Sequence, residues 1–180
     1  MFKKIIKYYA DRRLSAFFQS QKRKIRINTL KNSKNVGILW NPADENSIEA
    51  YDSLRNLLHA KGIKSSGIAH VSSSRELEML TTITSSGFVH KRNVRWFGRP
   101  TAHSVMQFVQ EPFDIMIDLS IAKTISLLYM LVHSNATFKV GWQGIEPNYY
   151  DLNIDVTERP ECKYLLEQII YYLENINEKV

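Results

Sequence analysis

With 180 residues, 44% of them hydrophobic, and only seven Gly and five Pro, the chain can bury one proper core and is neither low-complexity nor disordered. Its one cysteine, Cys162, excludes an internal disulfide and points to the reducing cytoplasm. The net charge of +6 is uneven: residues 1–34 hold eleven Lys and Arg against Asp11 alone, while residues 35–180 hold thirteen basic and seventeen acidic side chains. Attraction for anionic partners therefore belongs to the N-terminal arm, not the body.

The expected organisation is a basic amphipathic helix and linker over 1–34 followed by an α/β domain over 35–180. Residues 2–24 read as a helix, with Phe2, Ile5, Ile6, Tyr9, Ala10 and Phe17 in one stripe, Lys3, Lys4, Lys7 and Lys22 opposite, and Arg13 interrupting the stripe. Two readings stand. The helix docks its aromatics on the body, or it serves as a basic element for RNA or anionic lipid. In the second, Lys3, Lys4, Lys7, Arg12, Arg13, Lys22, Arg23, Lys24 and Arg26 are the contact residues. No run of apolar residues reaches the length of a membrane span, and the N-terminal run is too interrupted for a secretory signal. The expected location is the cytoplasm, or the inner face of the membrane as a peripheral protein.

After the linker over 19–34, residues 35–40 (NVGILW) read as a buried strand ending at Asn41-Pro42. Asp44 or Asn46 can cap the next helix, whose inward face is Ile48, Tyr51, Leu54, Leu57 and Leu58 and whose stop is Lys61-Gly62. A strand over 67–71 and a short helix carrying Leu77, Leu80 and Ile83 follow. Residues 87–100 (GFVHKRNVRWFGRP) read as one or two short strands or an irregular loop. There Lys91, Arg92, Arg95 and Arg99 surround Trp96 and Phe97, a mixture that can clamp phosphates and stack bases or simply pack beneath a loop. A short helix with Val105, Met106 and Val109 precedes the central strand over 113–120 (FDIMIDLS), which is apolar enough to be covered on both faces. Residues 122–134 form the most buried helix. Strands over 138–141 and 150–156 follow, and a final helix begins at Glu161 with Leu165, Leu166, Ile169, Ile170, Leu173 and Ile176 inward.

Strands alternating with helical patterns predict a single-domain α/β fold, a mostly parallel, doubly wound (Rossmann-like) sheet of five or six strands with helices on both faces. The link over 142–149 is short for a parallel crossover, so the last strand is expected as an antiparallel or edge addition. In such a sheet ligands sit beyond the carboxyl ends of the strands where the winding reverses. The candidate residues of that crevice are Asn41, Asp44, Asp118, Ser120, Gly141 and Gln143.

Several chemistries are excluded. The turn Asn41-Pro42-Ala43-Asp44 lacks the glycines of a dinucleotide or P-loop site and places a carboxylate where phosphate would lie, so no cofactor is expected. Ser120, in Asp-Leu-Ser-Ile-Ala, lacks a nucleophile elbow and reads as a helix cap. Asp114 and Asp118 lie about 13 Å apart along one strand, too far for joint acid–base work. The five histidines show no ligand spacing, and no metal site is expected. Cys162 reads as a half-buried structural thiol.

The basic arm combined with Asn35-Val36-Gly37-Ile38-Leu39, Trp96-Phe97-Gly98-Arg99-Pro100, the 113–120 strand, Phe138-Lys139-Val140-Gly141 and Tyr149-Tyr150-Asp151-Leu152 resembles a bacterial family recorded only as a domain of unknown function. More distantly, the central strand, apolar helix and Lys-Val-Gly strand look like one Rossmann-type half of the heptosyltransferase-like glycosyltransferases. Those enzymes work between two such halves, and this chain has length for one. Two functions follow as expectations. The first is a non-catalytic binding or adaptor protein whose arm, with Arg95 and Arg99, engages RNA, a ribonucleoprotein or a membrane surface. The second is a small-metabolite or transferase-like domain that uses the strand-end crevice, with Lys139 or Arg99 approaching it.

Overall fold

The computed structural model describes residues 2–80, 86–95, 98–142, 144 and 147–176, with the side chains of 2–7, 74 and 79 outside that description. Ile83, Trp96, Phe97 and Gln143 therefore lie outside the described residues, as do the side chains of Phe2, Lys3, Lys4, Ile5, Ile6 and Lys7. The sheet has six strands: β1 (Asn35–Trp40), β2 (Lys64–Val71), β3 (Ser86–His90), β4 (Ile115–Asp118), β5 (Phe138–Gly141) and β6 (Leu152–Asn153). Their order is β3-β2-β1-β4-β5-β6, and every pairing is parallel. The winding reverses between β1 and β4, where Val36 pairs with Ile115 and Leu39 with Asp118.

Alternation along each strand sorts side chains into two layers. Val36, Ile38 and Trp40 of β1 and Ile115 and Ile117 of β4 face α2 (Ser47–Ala60), α3 (Ser74–Leu80) and α6 (Cys162–Asn175). Leu39 and Met116 face the opposite way, toward α1 (Phe2–Ser20), α4 (His103–Gln110) and α5 (Ile125–His133). Thr124 caps α5 by accepting from Leu127 N–H at 3.3 Å, which relieves Ser120 of that expected role. Neither Asp44 nor Asn46 caps α2 through its side chain. Asn46 occupies the cap position in the left-handed region at φ 57°, and Asp44 is engaged elsewhere.

Of the two readings of the N-terminal helix, docking on the body is the arrangement seen in the described residues. Ala10 and Leu14 are buried against α5, and Phe18 meets Tyr149 edge-on at 5.2 Å. The helix stops at Ser20, short of residue 24, because Arg23 turns inward. Its guanidinium donates to the Ala136 and Thr137 carbonyls at 2.9 and 3.1 Å and pairs with the buried Asp151 carboxylate. Residues 21–34 then cross the amino ends of the strands. Arg26 N–H donates to Thr137 O (3.1 Å), Asn28 Nδ2 to Asp114 O (2.7 Å) and Leu30 N–H to Leu173 O (3.2 Å), so the segment ties both helical layers to the sheet.

The last strand is a parallel edge strand. Only Leu152 and Asn153 pair with β5, so a short irregular link suffices where a long strand would need a helix. Asp151 fixes it by accepting from Lys139 N–H at 2.8 Å.

Lys139 points from β5 into the α1/α5 layer and is fully buried, with Nζ donating to Val132 O at 3.1 Å. Burial, and secondarily the Arg23 charge, push its pKa down to about 7, against a smaller upward pull from Asp151. Between about pH 7 and its unfolded value near 10.4 the unfolded chain therefore holds more protons, and stability rises with pH. Cys162, pushed up to about 12, opposes this trend only above its unfolded value near 8.5. The urea midpoint should rise from pH 7 to 8.5 with a slope of at most about 1.4 kcal/mol per pH unit. Lys139→Met should flatten that profile and stabilise the protein at pH 7; an unchanged slope in the variant contradicts the assignment.

Candidate functional site

Two regions of the described residues bear on the expected sites. At the strand carboxyl ends, β1 delivers Asn41 and β4 delivers Asp118 and Ser120, with Asp118 and Ser120 fully buried. The Asp118 carboxylate accepts from Ser120 N–H (2.9 Å) and Ser120 Oγ (2.6 Å) at one oxygen, and from Lys123 Nζ (3.0 Å) and the Tyr150 hydroxyl (2.6 Å) at the other. Lys123 also donates to Ser120 O at 2.7 Å and Ser120 Oγ at 3.2 Å, and lies 5.2 Å over the Tyr150 ring. Four donors occupy the acceptor positions of this carboxylate. Burial, then the Asp118 charge, hold the Tyr150 phenol protonated well above its ordinary range.

Asp44 bridges the two sides of the reversal, its carboxylate accepting from Ile121 N–H at 2.7 Å and Ala122 N–H at 3.2 Å. Burial raises its pKa despite those N–H groups, with Asp118 adding to the rise. Asn41 closes the turn, its amide reaching Asp44 Oδ1 and Ala122 O, each at 3.4 Å. Gly141 matters as a missing side chain: a Cβ there would stand 2.6 Å from Tyr150 Cε1 and 3.0 Å from Asp118 O, so glycine lets Tyr150 seat over the end of β5. Of the residues expected at the crevice, Asn41, Asp44, Asp118 and Ser120 come together, with Gly141 beside them. Lys139 and Arg99 are placed elsewhere, and the cation at this site is Lys123.

This arrangement is a structural clasp more than a reacting centre. Ser120 Oγ donates to the Asp118 carboxylate, whose other oxygen is taken by Lys123 and Tyr150, and both Asp118 and Ser120 are fully buried, so neither the hydroxyl nor the carboxylate faces an open site. Cys162 is fully buried rather than half-buried, and burial followed by the Asp44 and Asp118 charges keeps it a thiol. Among the described residues no cluster of His, Cys, Asp and Glu has the make-up of a metal site.

The second region is a cleft of about 790 Å³ between α1, α5 and the turn after β3, lined by Arg13, Leu14, Ala16, Phe17, Arg95, Arg99, Tyr129 and His133. The turn is short: Arg95 N–H donates to Arg99 O at 2.8 Å and Gly98 N–H to Arg95 O at 3.2 Å. Gly98 has φ 84°, and any Cβ would collide with the Ile125 side chain and carbonyl, so glycine is what lets this turn press on the first residue of α5. Both arginines are thereby held exposed beside α1.

The floor is a stack of rings. His133 lies between Phe17 (4.0 Å, 13°) and Tyr129 (3.9 Å, 16°), and its Nδ1–H donates to Tyr129 O at 3.0 Å. Burial lowers its pKa; the hydrogen bond to the Tyr129 carbonyl opposes this, and the Lys139 and Arg99 charges add smaller downward shifts. Among the described residues no carboxylate lines the cleft. Of the other expected contact residues, Arg12, Lys22, Lys24 and Arg26 are exposed, whereas Arg23 is held internally by Asp151. Lys123 and Tyr150 were the site members that spacing did not reveal. Lys123 follows Asp118 by five residues on an irregular loop, and Tyr150 arrives from a distant segment.

Fold and site together define a Rossmann-like α/β protein whose strand-end reversal is closed by its own side chains and which carries a basic cleft beside α1 and α5. The chain belongs to a family of unknown function, DUF6913, whose sequence profile matches residues 3–176. No curated protein and no solved structure matches it. The likeness to heptosyltransferase-like enzymes finds no support there.

The clasp makes a stability prediction. Tyr150→Phe removes one buried donor and should cost about 1–3 kcal/mol. Asp118→Ala strands Lys123 and should cost about 3–5 kcal/mol. Urea unfolding measures both, and a loss below about 0.5 kcal/mol for Asp118→Ala would contradict the clasp.

Proposed function

We propose that the protein is a non-catalytic binding or adaptor protein that engages RNA, alone or within a ribonucleoprotein, through the docked basic helix and the Arg95–Arg99 turn. The observation that carries this reading is the convergence of Arg13, Arg95 and Arg99, from segments far apart in sequence, on one cleft that has no lining carboxylate among the described residues, with Arg95 and Arg99 exposed. Phosphates are the ligands such a surface selects, and neutralising them releases counterions. Lys22, Lys24 and Arg26 extend the exposed positive charge along the segment that follows α1.

RNA is preferred over a membrane surface because the apolar residues Ala10 and Leu14 are occupied by α5. The described part of the helix turns Tyr8, Tyr9 and Arg12 outward, not the aliphatic face that an interfacial helix sinks into lipid. No described helix is long and apolar enough to cross a membrane. The alternative, a metabolite or transferase-like site at the strand ends, has less support, since Asp118 and Ser120 are fully buried and bonded to one another.

A labelled single-stranded RNA oligonucleotide titrated by fluorescence anisotropy tests this. Affinity should fall steeply with salt, and Arg95→Gln with Arg99→Gln should lower the log–log slope by about 1.4, roughly 0.7 per phosphate contact on a single strand. Vesicles rich in anionic lipid should bind more weakly than RNA. Stronger vesicle binding, or RNA binding indifferent to salt, sinks the reading.

A further inference from the structure

Resting on that reading, we infer that the cleft between α1, α5 and the 95–99 turn is a nucleotide subsite, in which a base lies against the free part of the Phe17 ring and its phosphate lies between Arg95 and Arg99.

Charge alone does not require a cleft of this composition. A bare phosphate or a lipid headgroup is satisfied by arginines on a flat surface and gains nothing from an aromatic floor. Here the arginines open beside three rings stacked in register. The outermost, Phe17, is 39% exposed even though its ring is already parallel to His133 at 4.0 Å. Leaving that much phenyl surface in water forgoes hydrophobic stabilisation, while a purine or pyrimidine laid on it would recover the area and extend the stack.

The platform is rigid enough for such a role. Tyr129 and His133 sit one turn apart on α5, locked by the Nδ1–H to Tyr129 O bond, and Phe17 is held because Leu14, one turn earlier on α1, is buried in the core. Stacking works with any base, so this geometry favours a nucleotide without selecting its identity. The volume of about 790 Å³ lies within the range of sites that enclose a small ligand. Leu14 and Ala16 add apolar lining beside Arg13.

The arginines are placed by different elements from the rings. Gly98 holds their turn against Ile125, so phosphate and base contacts come from different elements. The same nucleoside phosphate chemistry arises from a free mononucleotide or from one unit of an RNA strand, and the experiment separates these sources.

The full chain is titrated calorimetrically with AMP, adenosine, inorganic phosphate and a twelve-nucleotide oligo(A). The inference expects AMP to bind at least tenfold more tightly than adenosine or phosphate. Phe17→Leu should weaken AMP and oligo(A) about tenfold, while Phe17→Trp, with a larger ring, restores or tightens both. Arg95→Gln with Arg99→Gln should abolish AMP binding. Thermal unfolding checks that each variant is folded, and if Phe17→Leu is not, the Trp variant and the arginine pair decide. AMP binding without oligo(A) binding keeps the subsite as one for free nucleotides and overturns the RNA reading. Oligo(A) binding that is unchanged in Phe17→Leu, or phosphate competing as well as AMP, overturns the subsite and leaves the RNA reading standing.

Discussion

The seating of α1 on α5 is the contact on which the proposed binding surface depends. Ala10 and Leu14 supply the apolar part of that contact, and burying a leucine side chain is worth about 1.5–3 kcal/mol. The buried Arg23–Asp151 pair fixes where the helix ends and how the chain leaves it. Without that seating Arg13 and Phe17 would have no defined relation to Arg95, Arg99 and His133. With it, a charged N-terminal segment becomes one wall of a cleft. The cost is a crowded cationic interior, since burial first and the Arg23 charge second lower the pKa of Lys139.

The other end of the sheet is organised in the opposite sense. A doubly wound fold opens naturally where its winding reverses, and here that opening lies between β1 and β4. Asp118, at the end of β4, takes donors from its own loop, from Lys123 and from Tyr150, and Asp44 stitches the β1 loop to Ile121 and Ala122. A fully buried carboxylate is tolerable only when its acceptor positions are filled, and this one is neutralised by a cation as well. Closing the reversal in this way stabilises the body, and the basic cleft lies elsewhere, beside α1 and α5.

The sheet was legible because its strands are short apolar runs with clear boundaries. Residues 35–40 and 113–120 announce buried strands, α5 is apolar all round, and α6 keeps regular spacing, so parallel βαβ units followed from order alone. The crevice residues on β1 and β4 followed in turn, because topology places strand ends together whatever their side chains do. Tertiary partners were not legible. Arg23 reads as one more basic residue of the arm, and its partner Asp151 lies at the far edge of the sheet. Tyr150 gives no local sign that it will cap Asp118, and Gly141, whose lack of a Cβ permits this, looks like any strand-end glycine. Arg95 and Arg99 were visible as a cluster, but their meeting with Arg13 requires the turn at Gly98 to lie on Ile125. The parallel pairing of β6 escaped a rule about crossover length, because the strand it serves is only two residues long.

Hydrogen exchange followed by mass spectrometry on the intact chain, with and without a single-stranded RNA oligonucleotide, tests the central claim most directly. The account predicts slowed exchange over residues 12–17, 95–99 and 129–133, with no change over 118–123. Slowed exchange confined to 118–123 and 41–44, or none anywhere at saturating RNA, would contradict it.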